Sequence, residues 1–281
     1  MKLYSVNAGH FKLDGGAMFG VVPKSIWNKL NPADENNMCS WALRCLLIED
    51  GNRLILIDNG MGNKQDEKFF GYYYLHGDDS LEKSLKKHGF GFDDITDMVL
   101  THLHFDHCGG SIKFNSDKTK LEPVFKNANY YCSAKHWEWA THPNAREKAS
   151  FIKENIMPIK ESGRLQFIDQ SSSLIPGLSF IEVNGHTEAM MLPLVQYKEN
   201  TILYTADLIP SAAHLPIPYV MGYDMRPLET LKEKEIILNK ALENNWKLFF
   251  EHDPSIECVS LERTERGIRQ KDKMLLSDIS T

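Results

Sequence analysis

The sequence predicts an α/β protein in which sheets are layered between helices. Three observations carry that reading: short runs of branched apolar residues too apolar to face water on either side, helical-period stretches between them, and the bulk composition. Of the 281 residues, 42% are hydrophobic and 25% charged, which supports a sizeable core and excludes disordered and fibrous classes. The length is about 1.9 times a domain of roughly 150 residues. No fixed-period repeat, low-complexity tract or long linker divides the chain, so a single domain over residues 1–281 is expected.

In chain order, residues 41–48 and 54–58 read as strands from their apolar runs. A helix follows, in which Leu81 and Leu85 sit one turn apart and Gly89 supplies the stop. Strands are expected at 98–101 and 129–132, then one or two helices within residues 133–160, where the sequence reads HWEWATH and FIKENIM. Ser171-Ser172-Ser173 beside Pro176-Gly177 marks a loop before strands at 178–183 and 201–205. Pro227 suits the first turn of a helix with Leu231, Leu238 and Leu242 on one stripe, and residues 246–250 form a last strand. Beyond Pro254 no motif is legible.

Lysine plus arginine number 32 against 38 aspartates and glutamates, and the formal charge of -6 weighs against nucleic acid or anionic membrane as partner. The stretch MKLYSVNAGHFKLDGG holds no apolar run of secretory length, and the longest aliphatic runs, such as Leu54-Ile55-Leu56-Ile57, are far too short for a membrane span. A cytoplasmic protein is expected. Cys39, Cys45, Cys108, Cys132 and Cys258 are scattered without a C-x-x-C pair, which favours reduced, buried thiols over disulfides or a thiolate zinc site.

The chemistry concentrates directly after the expected strand 98–101. His102, His104, Asp106 and His107 form an H-x-H-x-D-H motif, four borderline nitrogen and oxygen ligands within six positions. A lone histidine is usually a hydrogen-bonded core or surface residue, but a cluster this dense points to metal. His102 and His104 can converge from a strand end, whereas the adjacent Asp106 and His107 do not easily reach the same ion, so a second metal is expected. Gly109 and Gly110 would let the chain reverse behind them. His186, Asp207 and His252 each follow a further apolar run, FIEVNG, ILYTA and LFFE, although a capping role for Asp207 and a surface role for His252 are open on spacing alone.

In this ordered set the chain resembles the metallo-β-lactamase-fold hydrolases: Asp58 in LILIDNG, the cluster at 102–107, His186 in NGHTE, Asp207 in TADLI and His252 in EHD. The resemblance implies a four-layer αββα sandwich and two divalent metal ions, zinc first, with manganese, cobalt or iron as alternatives. It makes His102, His104 and His186 ligands of one ion, and Asp106, His107 and His252 ligands of the other. Asp207 would bridge both together with a water or hydroxide, and Asp58 would support a ligand imidazole or serve its turn. A metal-activated water would attack, and Asp106 would return a proton to the leaving oxygen. Histidine at position 104, where diiron flavoproteins of this fold carry glutamate, favours hydrolysis over redox chemistry.

Within that family the chain is most similar to the N-acyl homoserine lactone lactonases and the methyl-parathion-hydrolase-like branch. The stretch from Asp14 to Trp27 resembles the lactonase leader, which places residues 1–40 as a leader or loop near the active-site mouth, and residues 207–219 extend the likeness. Met18, Phe19, Trp27 and Phe105 are accordingly candidates for an acyl groove, with core or dimer packing as the plainer alternative. Many such lactonases carry a tyrosine three residues after the bridging aspartate; here that position is Pro210, leaving His214 or Tyr223 as substitutes. The aromatic run from Phe69 to Tyr74 suits packing, a lid or an interface. The resemblance also implies a homodimer. The rival readings are an organophosphate or aryl ester hydrolase, a glyoxalase-II-like thioesterase, an RNase-Z-like nuclease, a β-lactamase, and a metal-stabilised binding module without catalysis.

Overall fold

A computed structural model describes residues 1–279. Strand β1 (Lys2–Asp14) leads through two short helices, α1 (Gly15–Phe19) and α2 (Lys24–Trp27), into β2 (Met38–Asp50) and β3 (Arg53–Ile57). Helices α3 (Glu67–Tyr73) and α4 (Leu81–Lys87) precede β4 (Asp97–Val99). Helix α5 (Phe105–Cys108) and a small hairpin, β5 (Ile112–Phe114) with β6 (Leu121–Pro123), follow. Strand β7 (Asn129–Ser133), helices α6 (Ala134–Thr141) and α7 (Lys153–Glu161), and β8 (Leu165–Ile168) complete the first half. The second half runs β9 (Leu178–Val183), β10 (Met190–Tyr197), β11 (Asn200–Tyr204), α8 (Pro227–Glu243), β12 (Lys247–Phe249), β13 (Cys258–Thr264), β14 (Gly267–Met274) and α9 (Leu276–Ile279).

The two six-stranded sheets have the orders β1-β2-β3-β4-β7-β8 and β14-β13-β12-β11-β10-β9. Side-chain alternation shows how they stack. On β3, Ile55 and Ile57 join the core shared with Ile202, Tyr204 and Phe249, the face of the second sheet from which Tyr204 reaches the Arg44 carbonyl of β2. Leu54 and Leu56 turn the other way, into a core with Leu85 of α4, Trp137 of α6 and Ile159 of α7. A strand buried on both faces has one sheet and one helical layer as neighbours. Helix α8 covers the far side of the second sheet through Ile237, Leu238 and Ala241. The result is the four-layer αββα sandwich.

All seven expected strands and all the expected helices form, with shifted ends. The α8 stripe differs: Thr230, Lys234, Ile237, Leu238 and Ala241 are buried, while Leu231 and Leu242 are only partly so. The sequence did not reveal β1, the short hairpin β5–β6, β8, β10, β13 or β14. Residues 2–14, inside the stretch read as a leader, pair with β2 along their length. A register shift between Asn7 and His10, with Gly9 at φ +123°, breaks the apolar alternation that would have betrayed the strand. Pro193 hides β10, and the polar run of β14 reads as solvent-exposed chain. Gly109 and Gly110 lie in the short turn between α5 and β5, where a Cβ on either would collide with the carbonyl of Met61 or Asn59.

Candidate metal centre

The cluster residues meet at one end of the sandwich because each lies just beyond a strand. His102 and His104 follow β4, and His104 caps α5, whose first turn carries Asp106 and His107. His186 follows β9, Asp207 sits in a short turn after β11, and His252 lies just past β12. Asp58, at φ +56°, and Ala206, at φ +41°, hold left-handed backbone there, a strained choice that packing must impose.

Two ligand groups result. His102, His104, His186 and Asp207 bring one donor atom each within 4.8 Å of one another, and so do Asp106, His107 and His252. In the first, His104 Nδ1 lies 3.1 Å from His102 Nε2 and 3.2 Å from His186 Nε2. In the second, His107 Nε2 and His252 Nε2 are 3.2 Å apart, and Asp106 Oδ2 is 3.9 Å from each. Asp207 touches both groups with different atoms: Oδ2 is 3.1 Å from His186 Nε2, and Oδ1 is 3.1 Å from His252 Nε2.

These residues fit metal ions. In a tetrahedral zinc site with bonds of about 2.0–2.1 Å, ligand atoms stand about 3.3 Å apart, close to the spacings seen. Asp207 Oδ1 is buried without a hydrogen-bond donor, which a cation would satisfy. The donor set, nitrogen and carboxylate oxygen without thiolate, suits borderline divalent ions.

Each imidazole is fixed through its other nitrogen, as metal ligands require. His104 Nε2 is 2.9 Å from Glu147, which also accepts from Trp139 Nε1 at 2.7 Å. His186 Nδ1 is 2.9 Å from Asp224, and His252 Nδ1 is 2.8 Å from the Ala42 carbonyl. His102 Nδ1 lies 3.0 Å from Thr101 Oγ1, which donates to Asp58 Oδ2 at 2.7 Å. Asp58 Oδ2 is also 3.1 Å from His107 Nδ1, so one carboxylate orients ligands of both groups. Glu251 joins it, 3.0 Å from His107 Nδ1. Asp58, His107 and Glu251 could themselves surround an ion, but His107 Nε2 already faces the second group and its Nδ1 hydrogen-bonds Asp58, while both Glu251 oxygens are buried without a hydrogen-bond donor.

Thr101, Glu147, Asp224 and Glu251, which contact the candidate ligand imidazoles, are residues that sequence reasoning missed. Glu251 had one available signal. Adjacent residues of an extended segment point to opposite sides, so the neighbour of His252 can support the site from behind.

The electrostatics follow from burial against charge. Burial alone would lower His186 and His252, but Asp207 together with Asp224 at His186 and Glu251 at His252 outweighs it and lifts them to about 10 and about 9. Asp207 itself, despite burial, is held well below the usual carboxylate range by His107, His252 and His186. Burial and neighbouring imidazoles push His102 well down.

Above the ligands opens a cavity of about 330 Å³, floored by His104, Asp106, His186, Asp207 and His252. Its walls include Met18, Tyr73, Phe105, Arg146, Met221 and Tyr223. The expected groove is thus corrected at three positions. Phe19, Trp27 and His214 do not line the cavity: Phe19 stacks on Trp27 at 5.2 Å and on His214 at 4.5 Å, forming a buried pillar behind Met18. His214 is fully engaged, its Nε2–H donating to the Met18 carbonyl at 2.9 Å and its Nδ1 accepting from Ser211 at 2.7 Å. Burial lowers its pKa to about 3, so it stays neutral. Tyr73, from the run that packing would explain, reaches the cavity and packs on Phe105 at 4.6 Å. Pro210 holds His252 in place, its carbonyl accepting the His252 amide at 3.0 Å.

Fold and ligand arrangement together define a metallo-hydrolase. Residues 44–252 match the family model of the metallo-beta-lactamase superfamily, and the chain belongs to that superfamily as one of its metal-dependent hydrolases. An N-acyl homoserine lactonase of Bacillus sp is 26% identical over 267 residues, covering 90% of this chain and 93% of the relative. A probable metal-dependent hydrolase from Staphylococcus aureus superposes with a TM-score of 0.86 at 25% identity over 98% of both chains. AidC, a dizinc quorum-quenching lactonase solved with a product, superposes with a TM-score of 0.80 at 22% identity, covering 98% of this chain and 95% of that one. Among the described residues no helix is long and apolar enough to cross a membrane.

Proposed function

We propose that this protein is a lactonase that opens the ring of N-acyl homoserine lactones. The observation that carries the reading is the cavity: a floor of metal ligands beneath the apolar side chains of Met18, Phe105 and Met221, a polar seat for a lactone below a greasy slot for its acyl chain. The similarity to N-acyl homoserine lactonases over 90% of the chain supports it.

In this proposal His102, His104, His186 and Asp207 would hold one divalent ion, and Asp106, His107, His252 and the shared Asp207 would hold the other, with zinc as the metal. Bound there, the ions supply a nucleophile at neutral pH and polarise the carbonyl under attack. The Asp106 carboxylate takes up the proton released in the attack and returns it to the ring oxygen as that oxygen leaves. Tyr223 takes the part that Pro210 cannot play: burial raises its pKa, so its hydroxyl remains a proton donor for the substrate carbonyl. Met18 and Phe105 contact the acyl chain. The enzyme is further proposed to act in the cytoplasm as a homodimer, in quorum quenching.

The reaction type is tested in heavy-oxygen water with N-hexanoyl homoserine lactone and mass spectrometry. Ring opening places one heavy oxygen in the carboxylate of an intact N-hexanoyl homoserine. Release of free hexanoate would mean that the amide is cut instead and would overturn the assignment.

A further inference from the structure

Helix α8 carries a lysine at a core position. Lys234 is fully buried, on the same face as Thr230, Ile237, Leu238 and Ala241. No ion pair engages it among the described residues. Its Nζ donates instead to four main-chain carbonyls: His214 at 2.7 Å, Tyr219 at 2.8 Å, Pro216 at 2.9 Å and Ile217 at 3.3 Å. Burial lowers the Lys234 amine to about 7, and against that pull the cage favours the protonated form, whose three N–H groups it uses in full.

All four oxygens belong to one segment. Residues 211–224 contain a single short turn, at Ala212–His214, and otherwise lack regular structure. Yet that segment serves the site twice. Met221, Gly222 and Tyr223 line the cavity, and Asp224 Oδ1 is 2.9 Å from His186 Nδ1. Its outer end is pinned separately, where the Gly222 amide donates to the Ala17 carbonyl at 2.8 Å and the Gly222 carbonyl accepts from Arg146. The inner part, 214–219, has Lys234 as its common anchor.

We propose that Lys234 is a positioning residue: its caged ammonium does for residues 211–224 what a strand or helix would do, and so sets Tyr223 in the cavity wall and Asp224 behind His186. The inference rests on the cavity being the substrate site and not on the substrate being a lactone.

The test compares Lys234→Met, an apolar replacement of similar length, with Lys240→Met on the exposed face of the same helix. Hydrogen exchange is followed on the full-length protein, and steady-state kinetics on whichever substrate of a lactone and ester panel turns over best. In Lys234→Met, amides of residues 214–223 should exchange about tenfold faster or more, with β11 and β12 unchanged. KM should rise about tenfold while kcat changes by less than about threefold. Lys240→Met should match the parent protein. Unchanged exchange in 214–223 would overturn the proposal, and faster exchange with an unaltered KM would reduce Lys234 to a purely structural role and overturn it as well. If Lys234→Met does not fold, reductive methylation of the unmodified protein decides: Lys234 should stay unmodified while Lys232 and Lys240 react, and reaction of Lys234 at their rate would overturn the cage. The exchange and methylation readouts involve no substrate, so they fail or succeed independently of the lactonase assignment.

Discussion

Glu251 Oε2 lies 3.0 Å from His107 Nδ1, on the opposite side of the ring from the Nε2 that faces His252. Asp58 reaches the same Nδ1 at 3.1 Å, so one buried imidazole N–H stands between two carboxylates. Burial, with Asp58 adding to it against the pull of His107, pushes the Glu251 pKa up to about 7. Glu251→Gln keeps the shape but removes the negative charge, and affinity for the ion beside His107 and His252 should fall about 10- to 100-fold. Glu147→Gln should weaken the ion beside His104 by a similar factor. Chelator competition on each variant separates the two, and an equal loss at both sites in either variant would contradict the division of ligands.

Asp207 is the residue the two groups share. Asp207→Ala should leave no more than one ion per chain after dialysis, measured by elemental analysis, and hydrolysis should fall by orders of magnitude. Two retained ions with full activity would disprove the bridging role.

Metal binding should depend on pH in a stated direction. Without ions, His186 and His252 titrate near about 10 and about 9, so at neutral pH both carry protons against Asp207. A ligand imidazole must be neutral, so binding expels those protons and affinity must rise as pH rises toward these values. Calorimetry in buffers of different ionisation enthalpy counts the protons released. A pH-independent affinity between about 6 and 8 would contradict the electrostatics.

The cavity wall gives a paired prediction. Met18 lines the cavity whereas Trp27 lies behind it, stacked on Phe19. Met18→Ala should alter the dependence of KM on acyl-chain length. Trp27→Ala should lower unfolding free energy by about 3–5 kcal/mol through the lost packing and leave that dependence unaltered. Denaturant titration alongside a chain-length series tells them apart.

The contrast between Met18 and Trp27 also shows what the sequence could not reveal. His102, His104, Asp106 and His107 were legible because a single turn carries them, and His186, Asp207 and His252 because each follows an apolar run. Their supports were not, since Asp58 and His107 are 49 positions apart, and His104 and Glu147 are 43 apart, with no local pattern linking them. Apolar residues near a mouth carry no mark of which side of the wall they occupy, so Phe19 and Trp27 read the same as Met18. The sandwich followed from strands with apolar side chains on both faces, and the strands that escaped notice were those with a bulge, a proline or a polar face.

The most direct measurement is kcat/KM for N-hexanoyl homoserine lactone on protein loaded with two zinc ions per chain. An aryl ester, a phosphotriester, a thioester and a β-lactam are compared under the same conditions. The lactonase assignment predicts that the lactone exceeds every other substrate by about tenfold or more. A phosphotriester or thioester in first place would contradict it, as would the absence of turnover across the panel with both ions bound.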